Sequence, residues 1–189
     1  MSSAPRRLVW LDLESTGFTE LDRQMVYQHR ILELAVAITD ERFDVLAQLS
    51  VVVHHDLKSI MPLCDEVVRQ MHTSNGLFAE VAASKIDLAE AQQQILAFLV
   101  DNGVLAKASP LCGSGIQFDR MFIEAQLPDL NAHLHYRNLD ISAVKEFLKT
   151  ISTEFEPVKR KSHRALDDIL ESVAEARTYR DLLAPLLAG

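Results

Sequence analysis

Asp12 and Glu14 stand two residues apart at the end of the run Leu-Val-Trp-Leu-Asp-Leu-Glu. If that run is a strand, residues i and i+2 project from the same face. Two carboxylates held together repel unless one is protonated or a cation lies between them. Their hard oxygen atoms suit magnesium or manganese; the plain alternative is two solvated acids at a strand end. A third acid, Asp119, opens an expected helix after Cys112-Gly-Ser-Gly115. There it could be a metal ligand or simply an acid favoured by the helix dipole. Near the other end, His163 and Asp168 form His-x4-Asp at the start of the last expected helix. A His at a loop–helix junction is placed to act as a general base, and an acid in the first turns could bind metal. Asp167 competes with Asp168, and position alone does not separate the two.

These residues need rigid elements behind them. Leu8 to Leu13 reads as a buried strand, Ile31 to Thr39 as a second and Phe43 to Val53 as a third, with a hairpin at Thr39-Asp-Glu-Arg42. Asp65 to Met71 reads as a short helix ended by the turn Thr73-Ser-Asn-Gly76. Asp87 to Val100 is the clearest helix, with Asp87 as cap, Glu90 three residues on, and a stripe of Leu88, Ala91, Ile95, Phe98 and Leu99. Pro110 to Cys112 and Tyr136 to Asp140 read as strands. Helices are expected at Phe118 to Gln126, ended near Pro128, at Ser142 to Thr150 and at Leu166 to Leu183. Three strands followed by alternating strands and helices predict an α/β fold with a mixed five-stranded sheet, antiparallel at its start. Residues 1–189 are expected to form a single domain.

Composition limits the partners. The chain has 189 residues, 48% hydrophobic and 24% charged, which is an ordinary globular balance. Nineteen Lys and Arg stand against 27 Asp and Glu, a formal net charge of −8. Affinity for long nucleic acid comes mostly from phosphate neutralisation, so tracking along a polymer is disfavoured and a local basic site for a short substrate is not. Cys64 and Cys112 lack metal-like spacing and fit a reducing cytoplasm as small buried residues. The apolar run after Arg6-Arg7 is broken by Asp12 and Glu14, unlike a signal peptide. No stretch is long enough to span a membrane.

Taken together, Asp12, Glu14, Asp119, His163 and Asp168 resemble the DEDDh active site of the DnaQ-like 3′–5′ exonucleases. Four segments extend the resemblance to the oligoribonuclease branch: Leu-Val-Trp-Leu-Asp-Leu-Glu-Ser-Thr-Gly17, His-Thr-Ser-Asn-Gly-Leu77, His-Tyr-Arg-Asn-Leu-Asp-Ile-Ser142 and Ser-His-Arg-Ala-Leu-Asp-Asp-Ile169. It covers about Leu8 to Leu183. The resemblance implies an RNase H-like fold and two divalent cations, Mg or Mn. They would be held by Asp12, Glu14, Asp119 and Asp168, with His163 as base, and it selects Asp168 over Asp167. It further implies a cytoplasmic homodimer that degrades very short single-stranded oligonucleotides to 5′-mononucleotides, RNA first and DNA as the alternative. Tyr136 and Arg137 of a partner subunit, with His72 and Ser142, would cap the substrate's 5′ phosphate.

Three positions depart from that branch. Phe18 stands where the family has a Leu wedge between the bases, Val67 where it has a Trp, and Gly115 where it has a Ser, with Ser114 displaced by one. The segment Thr19 to His29 is also longer than the family's. Aromatic stacking is worth about 1–3 kcal/mol per base, so the base subsite differs while the metal chemistry does not. Substrate-binding roles are expected for Phe18, His72, Ser114, Tyr136, Arg137 and Ser142. Rival readings are a DNA-directed enzyme, a proofreading exonuclease bound to a polymerase, and a non-catalytic binding module. Lys159, Arg160, Lys161 and Arg164 could attract phosphate or form a solvated loop.

Overall fold

In the computed structural model of the chain, residues 6–17, 25–151 and 163–187 are described. Among these residues five strands form one sheet: β1 Leu8–Ser15, β2 Ile31–Thr39, β3 Val45–Val52, β4 Leu111–Gly113 and β5 Asn138–Asp140. Their order is β3-β2-β1-β4-β5. β1–β2 and β2–β3 pair antiparallel, while β1–β4 and β4–β5 pair parallel. This is the expected mixed five-stranded sheet. Among the described residues eight α-helices accompany it: α1 Leu57–Ile60, α2 Glu66–Ser74, α3 Leu77–Ala83, α4 Leu88–Asp101, α5 Gln117–Gln126, α6 Pro128–His133, α7 Ile141–Lys149 and α8 Ala165–Leu187.

The strands read as apolar runs because both sheet faces are covered. Every residue of β2 is buried, as expected of a central strand between two helical layers. On one face Val9, Leu11, Val36 and Ile38 pack with Ile95 and Leu99 of α4 and with Phe122 and Ile123 of α5. On the other, Trp10, Ala35, Ala37 and Cys112 pack with Ile141 and Leu148 of α7 and with Ala165, Ile169, Val173, Ala176 and Tyr179 of α8. The α8 residues recur every three or four positions, the spacing of one helix face. Ala35 and Ala37 lack bulk, so α8 can lie close against β2.

The short helices are where sequence expectation and structure part. The turn expected at Thr73 is still helix, and α2 ends at Ser74 because Gly76 supplies the left-handed φ of 81° that starts α3. The helix expected over Phe118 to Gln126 is α5, which ends before Pro128 as expected; Pro128 then also opens α6, which the sequence reading did not predict, since a proline is well tolerated in a first turn. Asp87 caps α4 through Glu90 N–H at 2.8 Å, as its spacing predicts. Cys64 and Cys112 are buried free thiols, as expected. The expected loop before α8, with Lys159, Arg160 and Lys161, lies outside the described residues.

Candidate active site

Alternation along β1 sends Leu8, Trp10, Asp12 and Glu14 to the face covered by α8. The strand therefore delivers two carboxylates under the first turns of that helix. There Asp168 stands beside the buried positions Ala165 and Ile169. One oxygen each of Asp12, Glu14 and Asp168 lies within 4.8 Å of the others. Asp119, in the first turn of α5, is 7% exposed and accepts a hydrogen bond from Leu13 N–H at 3.0 Å. Among the strand residues, the register between β1 and β2 shifts between Glu14 and Ser15. Bulges of this kind often sit beside functional sites and re-aim side chains.

The electrostatics of this cluster are those of a place that wants a cation. Burial raises Asp12 well above the usual carboxylate range, and Asp119, Glu14, Asp168 and Glu33 raise it further. Burial, then Asp168 and Glu33, push Glu14 to about 8. Asp119 is pushed to about 7 by burial, against the opposing hydrogen bond from Leu13. Crowded, poorly solvated carboxylates of this kind fit hard divalent ions, which supply the missing positive charge.

The other expected residues fall into two groups. In the parallel part of the sheet, β1, β4 and β5 all run toward the carboxylate end. Ser114 follows β4 and Ser142 follows β5, so both lie at that end. Gly115 N–H donates to Asp140 Oδ1 at 3.0 Å and to Ser142 Oγ at 3.2 Å, and Ser142 Oγ–H donates to Asp140 at 2.6 Å. Asp140 is the cap of α7, accepting from Ser142 N–H at 2.9 Å. Tyr136 and Arg137 precede β5 and so sit at the opposite end of the parallel strands from the carboxylates. Tyr136 is 75% exposed, stacked on His135, with the Arg137 guanidinium 5.2 Å from its ring centre. His72 is fully buried: its Nε2–H donates to Ser15 O at 3.1 Å and lies 3.7 Å from Glu14, while Nδ1 has no hydrogen-bond partner among the described residues. Phe18 lies outside the described residues. Val67 is exposed on α2. Of Thr19 to His29, residues from Met25 onward are described; Gln126 of α5 donates to Val26 O at 2.7 Å and His29 O at 3.1 Å, tying that segment to the helix of Asp119.

Sequence reading missed Glu33. It faces Glu14 across the β1–β2 ladder and is 1% exposed. The available signal was a lone acid inside the apolar run Ile-Leu-Glu-Leu-Ala-Val-Ala-Ile. Its partner is Arg164, which donates to Glu33 through Nε at 3.0 Å and Nη2 at 3.1 Å and to Glu80 through Nη1 and Nη2, both at 2.8 Å. Arg164 is thus committed to carboxylates, which corrects its reading as a phosphate-attracting or solvated loop residue.

A family model described as exonuclease (RNase_T) matches residues 9–176. The oligoribonuclease of Azoarcus sp. (strain BH72) is 40% identical over 183 residues, covering 96% of this chain and 97% of that protein. The oligoribonuclease of Halorhodospira halophila is 43% identical over 175 residues, 92% of each. The chain belongs to the oligoribonuclease family of exonucleases. Among solved structures, apo exonuclease I superposes with a TM-score of 0.69 at 14% identity, over 94% of this chain and 42% of that one. E. coli exonuclease I in complex with a dA16 oligonucleotide gives 0.70 at 14%, over 93% and 41%. The chain thus spans about two fifths of those structures, and at such identity they establish the fold, as an RNase H-like exonuclease sheet. Among the described residues no helix is long and apolar enough to cross a membrane.

Proposed function

We propose that this protein is a metal-dependent 3′–5′ exoribonuclease that hydrolyses very short oligoribonucleotides, dinucleotides above all, to 5′-mononucleotides. The observation that carries the reading is the partly buried carboxylate group of Asp12, Glu14 and Asp168 with Asp119 beside it. It occurs in a chain that matches oligoribonucleases over nearly its whole length. Two divalent cations, Mg or Mn, held by these four acids would stabilise charge on the attacking and leaving oxygens. His163 takes a proton from the attacking water. The water oxygen bonds to the last phosphorus, the bond to the ribose 3′ oxygen breaks, and that oxygen leaves and is protonated from solvent.

A homodimer completes the proposed site. Tyr136 and Arg137 stand at the start of β5, at the other end of the parallel strands from Asp12 and Glu14, and both are exposed, so they are suited to reach a partner's site. Arg makes forked hydrogen bonds to phosphate, which with Ser114 and Ser142 would limit substrate length; His72, expected at that phosphate, is fully buried against Ser15 and supports the strand end from behind. Phe18 would provide the wedge between bases. The reading extends to a single exonuclease domain over residues 1–189 and to a cytoplasmic location. Because Phe18, Val67 and Gly115 alter the base subsite, DNA dinucleotides are the specific alternative substrate. The test is Asp12→Asn: turnover of a labelled RNA dinucleotide should fall by about a hundredfold or more with the thermal transition still cooperative. Unchanged turnover would show that the Asp12 cluster is not the catalytic centre, and no turnover by the unsubstituted chain would leave a binding module in place of the enzyme.

A further inference from the structure

His163 has a left-handed backbone, φ 51°, two residues before α8 begins at Ala165. A non-glycine residue holds that conformation only where its surroundings over-determine it. Two sets of bonds do so. Asn75 Nδ2–H donates to His163 O at 2.6 Å, and the same side chain accepts from Leu77 N–H at 3.0 Å, which fixes the amide's orientation. On the other side, the guanidinium of Arg164 is forked between Glu33 on β2 and Glu80 on α3. Glu33 is itself fixed: it also accepts from Ser50 Oγ at 2.8 Å and from Ala165 N–H at 3.4 Å. Three elements, β2, α3 and the start of α8, therefore meet on one side chain next to the proposed base. The anchor strand is the one that pairs with β1 at Glu14.

We infer that Arg164 is a positioning residue, clamping His163 in its reactive pose through Glu33 and Glu80. The inference rests on His163 being the base. It explains why a buried acid that carries no expected metal role sits in the central strand: its charge is matched by Arg164, and its geometry registers the His163 junction against the carboxylate strand. A planar, five-donor guanidinium can bridge two carboxylates this way, and a lysine ammonium cannot.

The test is a double-mutant cycle in turnover of an RNA dinucleotide, using Arg164→Lys, His163→Ala and the pair. Arg164→Lys should lower kcat about tenfold, with KM and the manganese concentration for half-activation unchanged within about twofold. In the His163→Ala background the same change should cost nothing further, because Arg164 acts through His163. If the lysine variant folds poorly, Glu80→Gln, at the exposed end of the clamp, should give a smaller kcat loss that also vanishes in that background. Multiplying losses, a shifted manganese midpoint or wild-type kcat in both clamp variants would overturn the inference. Should His163→Ala itself retain near-full kcat, the base assignment fails first, and the clamp with it.

Discussion

Asp12 and Glu14 are charged at a cost. An acid raised on folding is more readily ionised in the unfolded chain, so without metal the folded state is unpenalised below the ordinary carboxylate range. It loses stability as pH rises, through about 7 for Asp119 and about 8 for Glu14. Cations relieve this by replacing protons, so metal affinity climbs through the same window. The melting temperature gained on replacing chelator with magnesium should therefore be larger at about pH 8.5 than at about pH 5.5. An equal gain at both would mean that the cluster is not where the ion binds. At this scale the sequence was informative: Asp-x-Glu on an apolar run and His-x4-Asp are patterns that local geometry makes legible. Glu33 was not, because its meaning depends on Arg164, 131 positions away. Nor was the burial of His72, which Ser15 and Phe78 impose from other elements.

The elements were legible where periodicity is long and hidden where they are a turn or two. β2 and α4 show their patterns over many residues, whereas α1, α3 and α6 are set by capping and by the strands they cover. Asp56 caps α1 through Lys58 N–H at 3.1 Å, a device that reads equally well as a loop acid. One tight junction positions the site: β4 runs against β1 with Gly113 where a Cβ would lie 2.8 Å from Ile116 Cδ1 and 3.1 Å from Leu11 O. Leu11 adjoins Asp12, so a side chain here would press on the strand that bears the carboxylates. Gly113→Ala should cost about 1–3 kcal/mol in urea unfolding, the usual range for overpacking. No change in the midpoint would show that β4 stands off farther than the structure has it.

For the whole molecule, sheet topology accounts for the division of labour. The strand ends that carry Asp12, Glu14, Ser114 and Ser142 lie at one end of the parallel strands, and Tyr136 with Arg137 lies at the other. A subunit that needed all of them at once would need a second copy. Mixing Asp12→Asn and Arg137→Ala protomers, each nearly inactive alone, should restore about a quarter of wild-type turnover, since half the dimers then hold one intact site. Two inactive parents giving an inactive mixture after subunit exchange would place Arg137 in its own subunit's site or outside any. Net charge belongs to this scale too. At −8 the chain does not attract a long polyanion as a whole, which suits a substrate with few phosphates. The most direct measurement is turnover of 5′-labelled dinucleotides and heptanucleotides, RNA and DNA side by side, with manganese and with chelator. The account predicts that the RNA dinucleotide is cleaved fastest, to 5′-mononucleotides, and only with metal. Faster cleavage of heptanucleotides, or cleavage that persists in chelator, would contradict it.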